Sequence, residues 1–284
     1  MAELNSRFDM TTTCRGGWPI ALLGYGAIGT QVADVLAAHA DGPRVVAALV
    51  PSDRIDAVRA RARDGIDVTD DINVLIERRP ALIVECAGQR ALHEYGPTIL
   101  RAGINLLVAS VGALADPGLE TELRSAAREG GARLMLPSGA VGGLDALASA
   151  RIAGLDEVEY ASNKPVTGWR GTAAEQLVDL DALTSPTVFF TGNAREAALR
   201  FPQNANVAAA VALAGIGFEN TVVTLAADPT ATGNRHTVRA RGPFGRLDMT
   251  VEGRALAANP KTSILAPMSI AKAVLDYRRE LSFV

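Results

Sequence analysis

A short apolar run, Trp18 to Leu23, ends directly in Gly24-Tyr25-Gly26-Ala27-Ile28-Gly29. The residues QVADVLAAHA that follow carry apolar side chains near i, i+3, i+4 and i+7. A G-x-G-x-x-G placed between a strand and a helix has a physical job at each glycine. Gly24 permits the tight turn, Gly26 lets a pyrophosphate approach the backbone, and Gly29 lets the helix lie close on the strand. The N–H groups of the first helical turn, including those of Ala27 and Ile28, then face the phosphates with the positive end of the helix dipole. The chain is therefore expected to bind a dinucleotide.

Further buried strands follow at RVVAALV, ALIVECAG, INLLVAS and GARLMLPSG, with helical stretches between them. Apolar strands alternating with helices predict a parallel sheet covered on both faces. After Gly139 the pattern changes. DEVEYASNKP, TVFFTGNA, NTVVTLAADP, NRHTVRARGP and GRLDMTVEG alternate apolar and polar residues, as strands with one exposed face do. Helices are expected over 142–153 and 206–218, and a last one, interrupted near Pro267, at the C-terminus. The fold class is α/β: a Rossmann doubly wound parallel sheet plus a smaller α+β substrate domain with a mixed sheet. The expected division is an N-terminal extension over 1–17, a dinucleotide-binding domain over 18–137 and a substrate domain over 138–261. The C-terminal helix, 262–284, is expected to pack back on the first domain.

Composition narrows the class. Hydrophobic residues make up 48% and charged residues 21%, which suits a globular protein. The formal net charge of -3 offers no broad footprint for nucleic acid or an anionic membrane. No apolar run approaches the roughly 18 residues of a membrane span, and the first residues lack the apolar core of a signal peptide. Two cysteines, Cys14 and Cys86, make neither a disulfide framework nor a zinc site, so no metal and a cytoplasmic location are expected. Cys86, inside a strand, reads as a small buried hydrophobe.

The choice between NAD and NADP stays open in the residues. An NAD-binding domain usually ends its second strand in an acid that takes the ribose 2′-OH. Here the segment is Pro51-Ser52-Asp53-Arg54, with the acid late and an arginine able to meet a 2′-phosphate. Of three histidines, His39 and His93 read as structural or surface residues. His236 follows the turn-rich ADPTATGNR; by position alone it reads as an exposed loop residue, yet its type suits proton transfer.

The segments PSGAVGGLDAL, KPVTGW, FPQNANVAAAVALAGIGFENTVV, ADPTATGNRHTV and NPKTS resemble the L-aspartate dehydrogenase family, from about Ile20 to the C-terminal helix. The resemblance implies oxidation of L-aspartate to iminoaspartate with NAD or NADP, as a step towards making NAD itself. It implies that His236 is the active-site residue, and that Ala140 and Asn206 contact the cofactor; Asn206, which opens a helix, reads equally as an N-cap. A dicarboxylate needs cationic or multi-donor partners. Lys164 and Lys261 are the candidates, with Asn234 and Thr262 as neutral donors. A homodimer is expected. The alternatives are another reductase of this architecture, such as a homoserine dehydrogenase or a dihydrodipicolinate reductase, and a non-catalytic NAD(P)-binding sensor.

Overall fold

A computed structural model describes residues 17–40, 42–256 and 259–282, with backbone only for 259–261. The expected N-terminal extension, Cys14 with it, lies outside the described residues apart from Gly17. The chain begins with β1 (Pro19–Leu23), α1 (Ala27–Ala37), β2 (Arg44–Leu49), α2 (Ile55–Arg59), β3 (Asp67–Thr69) and α3 (Ile72–Glu77). It then crosses back to β4 (Leu82–Glu85), α4 (Gln89–Arg101), β5 (Asn105–Val108), α5 (Pro117–Gly130) and β6 (Leu134–Met135). These six strands form one parallel sheet in the order β3-β2-β1-β4-β5-β6. The direction of winding reverses between β1 and β4, so the loops leaving their carboxyl ends diverge and open a crevice.

Each face of that sheet is sealed by apolar side chains. Ile20 and Leu22 meet Val32 and Leu36 of α1 on one face, and Leu23 and Ile83 meet Leu92 and Ile99 of α4 on the other. α5 shows how the helix ends are specified. Asp116 caps it by accepting from the N–H of Gly118 and Leu119, Pro117 opens it, and Gly131 closes it at φ 64°.

The second half contains α6 (Leu144–Ala153), β7 (Glu157–Pro165), β8 (Thr187–Asn193), α7 (Ala194–Arg200), α8 (Asn206–Ala214), β9 (Val222–Asp228), β10 (Asn234–Gly242) and β11 (Gly245–Gly253). A short pair, β12 (Ala255–Leu256) and β13 (Asn259–Ser263), precedes α9 (Leu265–Asp276). The large sheet runs β11-β10-β7-β9-β8, with only β7 and β9 parallel. It is mixed, with one covered face. Val158, Tyr160, Ser162 and Lys164 of β7 point inward beside Asn234, His236 and Val238 of β10.

Three expectations need correction. The helix from Asn206 stops at Ala214 rather than Phe218, because Gly215 breaks it and Gly217, at φ 87°, returns its N–H to the Ala212 carbonyl. α9 runs unbroken through Pro267, which lies in its first turn where no intrahelical N–H bond is lost. His236 is a strand residue, paired with Ser162 on one side and Val251 on the other.

α8 is built almost wholly of alanine and valine and is buried from Val207 to Ala212. It packs between β7 and the 3-10 turn Val111–Ala115, the segment after β5. Small side chains permit that close double contact. α9 returns to the first sheet, where Ile270, Ala271 and Val274 join the cluster around Val32 and Leu36. The Tyr277 hydroxyl, just beyond α9, donates to the Ala81 carbonyl and accepts from the Asn105 amide.

Ile270, 2% exposed, fills the space between α9 and the sheet. Ile270→Ala is expected to lower the unfolding free energy by about 3 kcal/mol in urea titrations. An unchanged midpoint would remove α9 from the cooperative core.

Candidate active site

Two cavities lie at the carboxyl edge of the parallel sheet, and the first turn of α1 stands between them. One, of about 710 Å³, is lined by Gly24, Tyr25, Gly26, Arg54, Arg61 and Arg90, among others. The second, of about 100 Å³, takes Ile28 from the same turn and adds Ala140, Lys164, Asn206, Asn234, His236 and Thr262.

The glycines divide the work as their environments require. Gly24 stands at φ 98°, and a Cβ there would come within 2.8 Å of Ala87 backbone. At Gly29 a Cβ would approach the Gly24 carbonyl oxygen at 2.4 Å. At Gly26 a Cβ would meet nothing within 4 Å, so space is kept open in front of the α1 N-terminus. Ala27 supplies the first N–H of that turn. Arg61 braces the loop by donating to the Tyr25 carbonyl at 2.5 Å and to the Thr30 hydroxyl at 3.1 Å. An open cradle of this kind fits a dinucleotide, NAD or NADP. Asp53 does not occupy the usual position of the ribose acid. It lies exposed on a 3-10 turn, 3.7 Å from Arg54.

In the second cavity polar groups converge without full satisfaction. His236 is 2% exposed, and its Nδ1 is 2.8 Å from the Tyr160 hydroxyl. Its Nε2 is buried with no hydrogen-bond partner among the described residues, and so is Nδ2 of Asn204. Lys164 is 3% exposed; its Nζ donates to Oδ1 of Asn204 at 2.6 Å and lies 5.1 Å from the centre of the Trp169 ring. No carboxylate stands within ion-pair distance of Lys164 among the described residues.

Residues 145–277 match the family model described as aspartate dehydrogenase, C-terminal, and residues 24–137 match homoserine dehydrogenase, NAD binding domain. The chain is 48% identical over 257 residues to an L-aspartate dehydrogenase of Cupriavidus necator, covering 90% of this chain and 96% of that one. It belongs to the aspartate dehydrogenase family. An L-aspartate dehydrogenase of Pseudomonas aeruginosa is 44% identical, with 93% of this chain and 98% of that one covered. The crystal structure of aspartate dehydrogenase from Thermotoga maritima superimposes with a TM-score of 0.74 at 27% identity, covering 94% and 99% of the two chains.

Within this family member the electrostatics of the second cavity follow from burial. Desolvation, and secondarily the Lys164 charge, pushes the His236 imidazole down to about 3. Desolvation alone pushes the Lys164 ammonium down to about 8. The histidine is thus neutral at working pH, and the lysine is a poorly solvated cation lacking a counter-charge.

The cavity brings together Ile28, Ala140, Lys164, Asn206, Asn234, His236 and Thr262, whereas Gly24 and Gly26 border the other one. Ala27 and Gly29 line neither, and the side chain of Lys261 lies outside the described residues. Asn206 is not the cap of α8, since Ala205 holds that position. Its Oδ1 accepts from the Gly112 N–H at 2.9 Å, tying α8 to the 3-10 turn after β5. His39 and His93 are exposed. Tyr160 and Asn204 went unnoticed in the sequence. The alternation of β7 carries a signal for Tyr160, which shares the face of Lys164 four positions on; Asn204 stands two residues before Asn206 in the segment FPQNANV.

Gly26→Val is expected to weaken dinucleotide binding more than about 100-fold while leaving thermal stability unchanged, because its side chain would fill ligand space only. Gly24→Ala should lower the melting temperature as well. NADH fluorescence titration and calorimetry separate the two; equal behaviour of both variants would contradict the cradle.

Proposed function

We propose that this protein oxidises L-aspartate to iminoaspartate with NAD+ or NADP+, the imine then hydrolysing to oxaloacetate and ammonia. The observation that carries the reading is Lys164: a buried cation with no carboxylate partner among the described residues, in one cavity with the unpartnered Nε2 of His236. Burying a charge without a partner is costly. A dicarboxylate substrate would supply the missing charge, and Asn234, Thr262 and Lys261 are proposed to complete its binding. Ala140 and Asn206 are proposed to hold the nicotinamide end of the dinucleotide.

When bound, the nicotinamide ring supplies the acceptor for the hydride that leaves Cα of aspartate. The task of the chain itself is the proton. As the Cα–H bond breaks, the amine nitrogen shares its electron pair with Cα and gives up an N–H proton. His236 takes that proton at Nε2, in the tautomer whose Nδ1–H donates to the Tyr160 hydroxyl. The imidazolium then returns the proton as water adds to the imine carbon and ammonia departs. Tyr160 holds the ring, with centroids 6.0 Å apart and planes 12° apart.

The same reading assigns residues 18–137 to the dinucleotide and 138–261 to the amino acid, with the segment 262–284 returned to the first part. It further assigns the activity to pyridine-nucleotide biosynthesis, in a cytoplasmic homodimer. Val188 and Val222, exposed on β8 and β9, support an apolar contact between subunits. Among the described residues no helix is long and apolar enough to cross a membrane.

Absorbance at 340 nm should rise when the protein is mixed with L-aspartate and NAD+ or NADP+ at alkaline pH. No aspartate-dependent rise with either dinucleotide would refute the assignment. His236→Asn should cut kcat by about 100-fold or more, with the dinucleotide Kd little changed; an unchanged kcat would take the ring out of the reaction.

Lys164 carries its charge below its pKa of about 8 and loses it above. Carboxylate binding should therefore weaken as pH rises through that value, giving kcat/KM for aspartate a falling limb. Lys164→Met should lack the limb and raise KM about tenfold or more. A retained limb would show that it belongs to another group.

A further inference from the structure

Glu85 closes β4 and is fully buried, and the proton chemistry proposed above makes no use of it. Its Oε1 accepts from the N–H groups of Ala87 and Gly88, each at 2.8 Å, and from the Ser110 hydroxyl at 3.0 Å. Its Oε2 accepts from the Ser110 N–H at 2.9 Å. One side chain thus ties the loop after β4 to the loop after β5. The first loop supplies Cys86 and Ala87 to the cavity of the glycine cradle, and the second flanks Ser110 with Ala109 and Val111, which line the cavity of His236. The carboxyl group stands at the seam of the two cavities.

Its chemistry at that seam is lopsided. All four partners are neutral donors and the carboxyl group donates to none of them, which is the bonding pattern of a carboxylate anion. Burial pushes its pKa above the ordinary value, while the four hydrogen bonds pull the other way. No cation contacts it among the described residues. A buried negative charge balanced only by backbone and hydroxyl dipoles acts over a longer range than a paired one.

We propose that Glu85 is a positioning and charge-selecting residue: it clasps the loop that borders the glycine cradle to the loop that lines the His236 cavity, and its charge favours the cationic nicotinamide of the oxidised dinucleotide over the neutral reduced form. Oxidised and reduced dinucleotide differ there by one unit of positive charge, so a fixed anion distinguishes them where shape does not. The inference rests on the dinucleotide reading of the cradle and not on the identity of the amino acid. Binding measured with no amino acid present keeps the two failures apart.

Kd values for NAD+ and NADH, by calorimetry and fluorescence, test it in the full chain. Glu85→Gln keeps the size and removes the charge, and it also replaces one accepting oxygen by an NH2 that faces an N–H donor, so the difference between the two dinucleotides is the readout. It should weaken NAD+ on the order of tenfold, about 1.4 kcal/mol, and leave NADH within about twofold. Equal weakening of both forms would overturn the charge-selecting role and leave only a clasp. Ser110→Ala removes a hydroxyl donor but not the charge, and should keep the ratio of the two Kd values at that of the unaltered protein; a ratio shifted as in Glu85→Gln would also overturn the proposal. If Glu85→Gln does not fold, the unaltered protein still decides. NAD+ should bind several-fold more tightly than ADP-ribose, which lacks the cationic ring, and equal affinity would overturn the role.

Discussion

The contact on which the arrangement depends is the approach of α1 to β1. The helix comes so near that a single methyl group at position 29 would press on the Gly24 carbonyl at 2.4 Å. That closeness aims the unpaired N–H groups of the first helical turn along the sheet edge, between the two cavities. Gly24 sets the turn, Gly29 sets the distance, and Gly26 leaves the way open. Widening the contact by one carbon would misdirect the donors that a diphosphate requires.

On the far side of the crevice the protein accepts an opposite kind of strain, electrostatic rather than steric. Lys164, Asn204 and His236 are buried with bonding capacity left over. Folding has paid for their desolvation without a full return, and groups in that state interact strongly with a complementary ligand. The depressed basicity of both His236 and Lys164 is the measure of that debt in solvation. α8 brings the two sides together. Its alanines pass between the 3-10 turn of the first sheet and β7 of the second, and Asn206 and Asn204 flank its start.

Much of the architecture was legible because its signals are local. Buried parallel strands must be apolar along their length, and so RVVAALV, ALIVECAG and INLLVAS declare themselves. Half-covered strands must alternate, as EVEYASNKP and NRHTVRARG do. Helix ends were read less well. Gly215 and Gly217 stop α8 at Ala214, short of the Phe218 to which the periodicity runs, and Pro267 is harmless because it falls in a first turn. The candidate site was half legible. The glycine turn and the segment around His236 are visible as short motifs, whereas Asn204 carries no mark until its partner is known and Tyr160 only the alternation of its strand. Glu85 had a signal, an acid at the end of an otherwise apolar strand, with no partner in sight to explain it.

The residues alone determined the strand–glycine–helix cradle, the change from apolar to alternating strands, and which side chains of each strand share a face, since period and turn chemistry are properties of neighbours in the chain. Only the tertiary structure decided that His236 is a buried strand residue rather than an exposed loop one, because β10 pairs between β7 and β11 and residue 236 falls on the covered face of that sheet. It alone showed that Lys164 has no counter-charge within reach among the described residues and that Glu85 joins two loops. Burial and pairing are sums over residues far apart in sequence, here Lys164 with Asn204 and Glu85 with Ser110, and no local pattern contains such a sum.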